Sequence, residues 1–227
     1  MKRSEIRKII EGSMELLKKN NFSLPMFGYW TVGEWRKMKD KLSTIRKTKL
    51  GWDVTDYGSG DFGKVGSALF TIRNGDQKDP SVGTPYAEKY ILMTDGQELP
   101  LHFHWYKVED IINRAGGVLK IQVFNSLENG EIDYVNDVTV ETDGITNTVK
   151  AGSFVDVTVG NSITIRTGMY HRFHADGDIV VGEVSKVNDD TTDNRFAEAV
   201  PRFSVIDEDE EVVYPLCNEY EKLVFGE

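Results

Sequence analysis

From residue 50 onward this chain is interrupted so often that long helices are excluded from most of it. Segments such as GSALFTIRNG, YAEKYILMTDG, GGVLKIQVFNSLENG, SFVDVTVGN and DIVVGEVS are rich in Val, Ile, Thr, Phe and Tyr. They end at Gly, Asn or Asp about every 8 to 12 residues. β-Branched and aromatic runs between turn residues predict strands, and this cadence predicts a sandwich or barrel. The long interval between Gly116 and Gly160 predicts an extra hairpin or excursion around Asn125 to Val149.

The first 50 residues read differently. Residues 4 to 20 place Ile6, Ile9, Ile10, Ser13, Leu16 and Leu17 on one helical face, and Asn20-Asn21 supply a stop. Thr31-Val32-Gly33-Glu34 forms a capping-box pattern. It predicts a second helix with Trp35, Met38, Leu42 and Ile45 on one face. Residues 1–50 are therefore expected to be a helical extension packed on a β domain of residues 51–227.

Four histidines fall in two tight pairs, His102 with His104 and His171 with His174. On a strand, residues two apart project from one face, so His102 and His104 can share a ligand. A carboxylate a few residues on and a later histidine could complete a site of three nitrogens and one oxygen. That donor set suits a divalent first-row metal with positions left for substrate. Strict alternation from His104 would put Asp110, not Glu109, on the histidine face. A turn or bulge within Trp105-Tyr106-Lys107-Val108 has to reset the parity for Glu109 to be the ligand.

The spacing of Gly96, His102, His104, Glu109 and Gly116 resembles the first cupin motif, G-x5-H-x-H-x4-E-x6-G, without departure. The segment from Gly160 through Gly168 and His171 resembles the second, G-x5-P-x-G-x2-H-x3-N. It departs at Arg166, which stands for the proline, and at Ala175, which stands for the asparagine. The chain as a whole resembles the D-lyxose isomerases, cupin-type aldose-ketose isomerases. That likeness runs through GYWTVGEW, AEKYILMTDGQELPLHFHWYKVEDI and VNDDTTDNRFAEAVPRF. It implies a mainly β cupin fold, a double-stranded β-helix or jelly-roll barrel, with N-terminal α-helices. It also implies a homodimer and interconversion of D-lyxose with D-xylulose, with D-mannose to D-fructose as a related activity. One divalent ion is implied, manganese first; cobalt, nickel, zinc or ferrous iron could use the same ligands, His102, His104, Glu109 and His171.

The same resemblance places an active-site lysine in EKYILM, which makes Lys89 a candidate catalytic residue. Lysine can act as a base if burial lowers its pKa, or as a cationic donor to an enediolate if not. Glu183 is a charged residue inside the apolar run DIVVGEVS and is the candidate base. Arg166 could bind a sugar hydroxyl or lie on the surface. Parity sends His174 away from His171, so it reads as a packing or supporting residue. Trp105, Tyr106 and Tyr170 flank the ligands and could line a pocket or pack in the core.

Charge narrows the partners. The chain carries 27 Lys and Arg against 37 Asp and Glu, a formal net charge of −10, with no basic stripe. Nucleic-acid and anionic-membrane binding are therefore not expected, and a neutral small-molecule sugar is compatible. No apolar run approaches the roughly 18 residues of a membrane helix. A single cysteine, Cys217, allows no intrachain disulfide. With an N-terminus that lacks a secretory pattern, this leads us to expect a cytoplasmic enzyme. The run Asp207 to Glu211 reads as a solvated face. Two rival functions use the same ligands: a ferrous dioxygenase, and a sugar-binding cupin without chemistry.

Overall fold

The computed structural model describes residues 1–226. Helix α1 spans Arg3–Lys19 and buries Ile6, Ile10, Ser13 and Leu17, the stripe its periodicity predicts. Ile9 and Leu16 pack at its border with Phe70, Trp52 and Val180 from the strands. Thr31 caps α2, Val32–Met38, through a capping box with Glu34. The expected single long helix is broken here. A 3-10 turn at Lys39–Lys41 intervenes before α3, Ser43–Thr48. The break lets Trp35 and Leu42 reach one cluster with Tyr220 and Val224 of the C-terminal segment.

Twelve strands follow: β1 Gly51–Thr55, β2 Ser67–Gly75, β3 Gly83–Met93, β4 Glu98–His104, β5 Glu109–Ser126, β6 Ile132–Asp133, β7 Val138–Thr142, β8 Ile145–Val149, β9 Phe154–Val157, β10 Ser162–Ile165, β11 Tyr170–Lys186 and β12 Asn194–Phe196. Among the described residues these strands pair with one another antiparallel, and the main path runs β1-β2-β3-β11-β5-β10-β7-β8. The excursion expected around Asn125 to Val149 is β6 and the β7–β8 hairpin.

Two long strands close the barrel. The first part of β11 lies against β4 and the second part against β3, while β5 runs beside both. The register shifts between Asp176 and Ile179, where the chain passes Gly116. Gly116 has φ of +97°, and a Cβ there would lie 2.0 Å from the Asp178 carbonyl oxygen. Only glycine fits that approach, which explains the last position of the first motif. The interior is aliphatic, built on Leu119, Ile121, Ile163, Ile179 and Val181.

The parity problem at Glu109 is solved by a turn. Trp105 and Tyr106 are exposed, and Lys107, Glu109 and Ile111 then alternate inward. Asp193 holds this turn from the segment after β11. Its carboxylate accepts hydrogen bonds from the Tyr106 and Lys107 backbone N–H groups at 2.7 and 3.1 Å.

The acidic run is solvent-exposed at Asp207, Glu208, Asp209 and Glu211, as its composition predicts, but it also answers helix α1. Asp207 pairs with Lys2 as a short parallel bridge. Glu208 accepts from Arg3 Nε at 2.8 Å, Asp209 from the Ser4 backbone N–H at 2.9 Å, and Glu210 from Arg7 Nε at 2.6 Å. Arg3 is 2% exposed and also binds Glu219. These carboxylates sit over the first turn of α1, where helix dipole and arginine attract them together. Arg3→Ala should destabilise the fold by roughly 3 kcal/mol, the low end for a broken buried ion pair because Glu208 remains half exposed. Urea unfolding of both proteins checks this.

Candidate active site

Two cross-strand pairs assemble the site. His171 on β11 lies opposite His102 on β4, and Glu183 on β11 lies opposite Lys89 on β3. His104 closes β4, and Glu109 opens β5 after the Asp193-held turn. The three imidazoles of His102, His104 and His171 bring donor atoms within 4.8 Å of one another. Glu109 Oε1 faces the same point, 3.4 Å from His104 Nε2 and 3.1 Å from His171 Nε2.

The protonation pattern shows what such a cluster lacks. His102 Nδ1 donates to the Pro100 carbonyl at 2.8 Å, and His171 Nδ1 to the Met169 carbonyl at 3.0 Å. A carbonyl only accepts, so both Nδ1 atoms carry a proton and both rings are turned with Nε2 toward the cluster. His171 Nε2 lies 3.1 Å from Glu109 Oε1. Burial, then the neighbouring His171 and His104, hold the His102 imidazole well below its usual range, in the neutral state. Burial and Lys107 lower His104 as well. Burial alone would raise the Glu109 carboxyl, but Lys107 and His104 outweigh it and keep it ionised. Neutral imidazoles and an ionised carboxylate are the states that bind a metal. The residues therefore fit a cation.

Formal charge points the same way. Asp53, Glu109, Glu183, Asp190 and Asp193 stand against Lys89, Lys107 and Arg202 in one connected region. Two negative charges are left over, which a divalent ion would neutralise.

Lys89 and Glu183 are brought to the same cavity. Both are buried, and Lys89 Nζ lies 3.5 Å from Glu183 Oε1 and 2.7 Å from Asn188 Oδ1. Burial would raise the Glu183 carboxyl, but Lys107 and Lys89 outweigh it and hold it below the usual carboxylate range. Sequence reasoning missed Lys107. Its ammonium, 3% exposed, joins Glu109 Oε2 at 2.7 Å to Glu183 Oε1 at 2.9 Å. The signal was present: once the turn resets parity, Lys107 shares the inward face with Glu109. The polar segment 187–203 was also underread. It supplies Asn188, Asp190, Asn194, Phe196 and Arg202, and β12 pairs directly with the ligand strand, Asn194 opposite His104 and Phe196 opposite His102. Arg202 binds Asp53 and Asp190 through Nη2, while its buried Nη1 has no partner. Arg202 and Phe196 both line the cavity.

The other candidates lie elsewhere. Arg166 is on the surface, paired with Glu141 at 2.7 Å. His174 faces away from the ligands and meets Glu98 at 3.3 Å. Tyr170 is core, with its hydroxyl donating to the Gly130 carbonyl at 2.8 Å. Trp105 and Tyr106 are outside the cavity lining. The cavity itself holds about 40 Å³, room for about three waters by the usual 10–15 Å³ each.

Comparison with known proteins places this geometry. Solved L-ribose isomerases share the fold. That of Geodermatophilus obscurus has a TM-score of 0.56 at 14% identity, covering 91% of this chain and 98% of that one. That of Cellulomonas parahominis has a TM-score of 0.55 at 12% identity, covering 87% and 93%. Among curated proteins, the D-lyxose/D-mannose isomerase of Escherichia coli O157:H7 is 41% identical over 97% of this chain and 98% of that protein. The D-lyxose/D-mannose isomerase of Serratia proteamaculans is 38% identical over 99% and 100%. The family model described as D-lyxose isomerase matches residues 1–220. With a cupin barrel, a buried Lys89–Glu183 pair beside three convergent imidazoles and likeness along nearly its whole length, the chain belongs to the D-lyxose isomerase family of aldose-ketose isomerases.

Proposed function

We propose that this protein interconverts D-lyxose and D-xylulose, and D-mannose and D-fructose, with one divalent ion held by His102, His104, Glu109 and His171. The observation that supports the metal is the convergence of the His102, His104 and His171 donor atoms within 4.8 Å, with Glu109 Oε1 3.1 Å from His171 Nε2. The family membership carries the sugar. Manganese is the first choice, and cobalt, nickel, zinc and ferrous iron suit the same donors. When bound, such an ion polarises the sugar's carbonyl and hydroxyl oxygens as a Lewis acid.

The chain's own residues handle the protons. Isomerisation moves one proton between C1 and C2 of the open-chain sugar and another between their oxygens. Glu183, ionised beside Lys107 and Lys89, takes the carbon-bound proton and returns it to the adjacent carbon. Lys89 donates from Nζ to the enediolate oxygen, since its neighbours Glu183 and Asn188 are both acceptors for an ammonium. Lys107 fixes the Glu183 carboxylate on one side, and Ser185 Oγ, at 3.0 Å, on the other. Arg202 Nη1 offers a donor to a sugar hydroxyl. Asp190, Asn194, Phe196 and Arg202 of segment 187–203 line the cavity, so this segment is the wall a bound sugar would meet.

The acid-base pair favours this reading over both rivals. A dioxygenase needs no buried lysine-glutamate couple against its metal, and a storage cupin needs no reactive site. Among the described residues no helix is long and apolar enough to cross a membrane. We place the enzyme in the cytoplasm as a homodimer.

Three outcomes are expected. Chelator treatment should abolish ketose formation from D-lyxose in a coupled assay, and manganese should restore it; full turnover without metal, or an unaltered metal content in His102→Ala, would refute the centre. Lys89→Met should retain metal by elemental analysis yet lose about 10²-fold or more in kcat, the usual weight of a positioned proton-transfer group. Asp193→Ala should weaken metal binding about 10- to 100-fold in a chelator competition titration, because the turn that delivers Glu109 loses its anchor.

A further inference from the structure

A strand at the edge of a sheet exposes unpaired N–H and C=O groups, and proteins cover, shorten or charge such edges. Most edges here are managed. β1 is buried along its length, with Leu216 bridged to Trp52 beside it. β6, β9 and β12 are two, four and three residues long. β8 is the exception. It ends the main path of the sheet and pairs, among the described residues, with β7 alone. Its five residues, Ile145-Thr146-Asn147-Thr148-Val149, include no charge and no proline. The first four are exposed. Its register with β7 runs without a bulge.

The turn before it fixes which groups are free. Asp143 and Gly144 connect the hairpin, both with positive φ, +51° and +78°, as a two-residue type I′ turn requires. The flanking pair Thr142 and Ile145 is then hydrogen-bonded. Parity directs the backbone groups of Ile145, Asn147 and Val149 toward β7, and those of Thr146 and Thr148 outward. The side chains alternate too. Asn147 stands opposite buried Val140 and Val149 opposite buried Val138, so Ile145 shares the core-side face. Ile145 is nevertheless 64% exposed.

We propose that β8 pairs with β8 of a second copy of this chain, antiparallel, about a two-fold axis at Asn147. This rests on the homodimer reading above and gives it a surface. The strand is its own complement in that register. Thr146 of one copy faces Thr148 of the other in hydrogen-bonded pairs, which uses every free backbone group of both residues. Ile145 of each copy faces Val149 of the other, extending the apolar ladder that Val138 and Val140 begin. Asp143 lies two residues before the strand, bound to Asn161 and Ser162, and Lys150 follows it, bound to Asp137, so the antiparallel arrangement puts one charge of each sign near both ends of the seam. Such a self-complementary contact closes a dimer and stops. Five residues a side are fewer than the roughly 20–30 of a stable interface, so the association depends on concentration.

Sedimentation equilibrium through the micromolar range tests it, on the parent, Thr146→Pro and Thr148→Pro. Neither proline removes a bond to β7, because the lost N–H points outward. The parent should approach twice 25.7 kDa, and both variants should associate at least ten-fold more weakly with unchanged turnover per chain. A second measurement does not depend on the prolines folding. Asn147→Cys should form a covalent dimer on mild oxidation, since a non-hydrogen-bonded pair sets Cα atoms about 4.5 Å apart, within disulfide reach. Ile145→Cys should not. A parent of single-chain mass at every concentration overturns both the homodimer and this surface. A dimer that survives both prolines and leaves Asn147→Cys uncrosslinked overturns the surface alone.

Discussion

One buried ammonium organises the interior of this protein. Lys107 sits between Glu109 and Glu183 in a space that holds few waters, and without it two carboxylates would face each other across low dielectric. Burial disfavours the charge on all three groups, and the contacts outweigh that cost in each. The consequence is a division of labour. One end of the bridge keeps Glu109 ionised and turned toward the imidazoles. The other keeps Glu183 ionised and turned toward Lys89. A single side chain therefore joins the carboxylate beside the imidazoles to the carboxylate beside Lys89.

The barrel exists to bring these groups to one depth. β11 delivers His171 and Glu183 from its two halves, and its partners change from β4 to β3 between them. That change of partner occurs where Gly116 and Gly117 pass the chain at Asp176 to Asp178. The glycine that ends the first motif is thus a geometric element of the active site, though it lies far from it in chemistry.

Much of this was legible in the residues alone. The strand cadence after residue 50 predicted the barrel, and the histidine spacing predicted the three imidazoles. Glu183 was legible because a charge in an apolar strand needs a reason. Lys107 was not, because its inward direction depends on a turn whose anchor, Asp193, lies 86 residues away. The segment 187–203 hid its role for a related reason. It is held by side-chain hydrogen bonds, such as those of Asn188 with Asn74, Lys89 and Asp190, and such loops have no hydrophobic period to read. The acidic run is exposed as expected, but its partners were hidden by distance: the arginines that answer it are Arg3 and Arg7, some 200 positions earlier.

That last clamp bears on how the molecule is made. Helix α1 precedes every strand in sequence, yet the carboxylates that seat it belong to residues 208 to 219. Its apolar stripe packs on Trp52, Phe70 and Val180, while the guanidinium of Arg3 is answered only from the far segment. Contacts of such sequence separation raise the loop-closure cost of folding and slow it. The ion pairs over α1 thus fasten together two stretches of chain that no local structure connects.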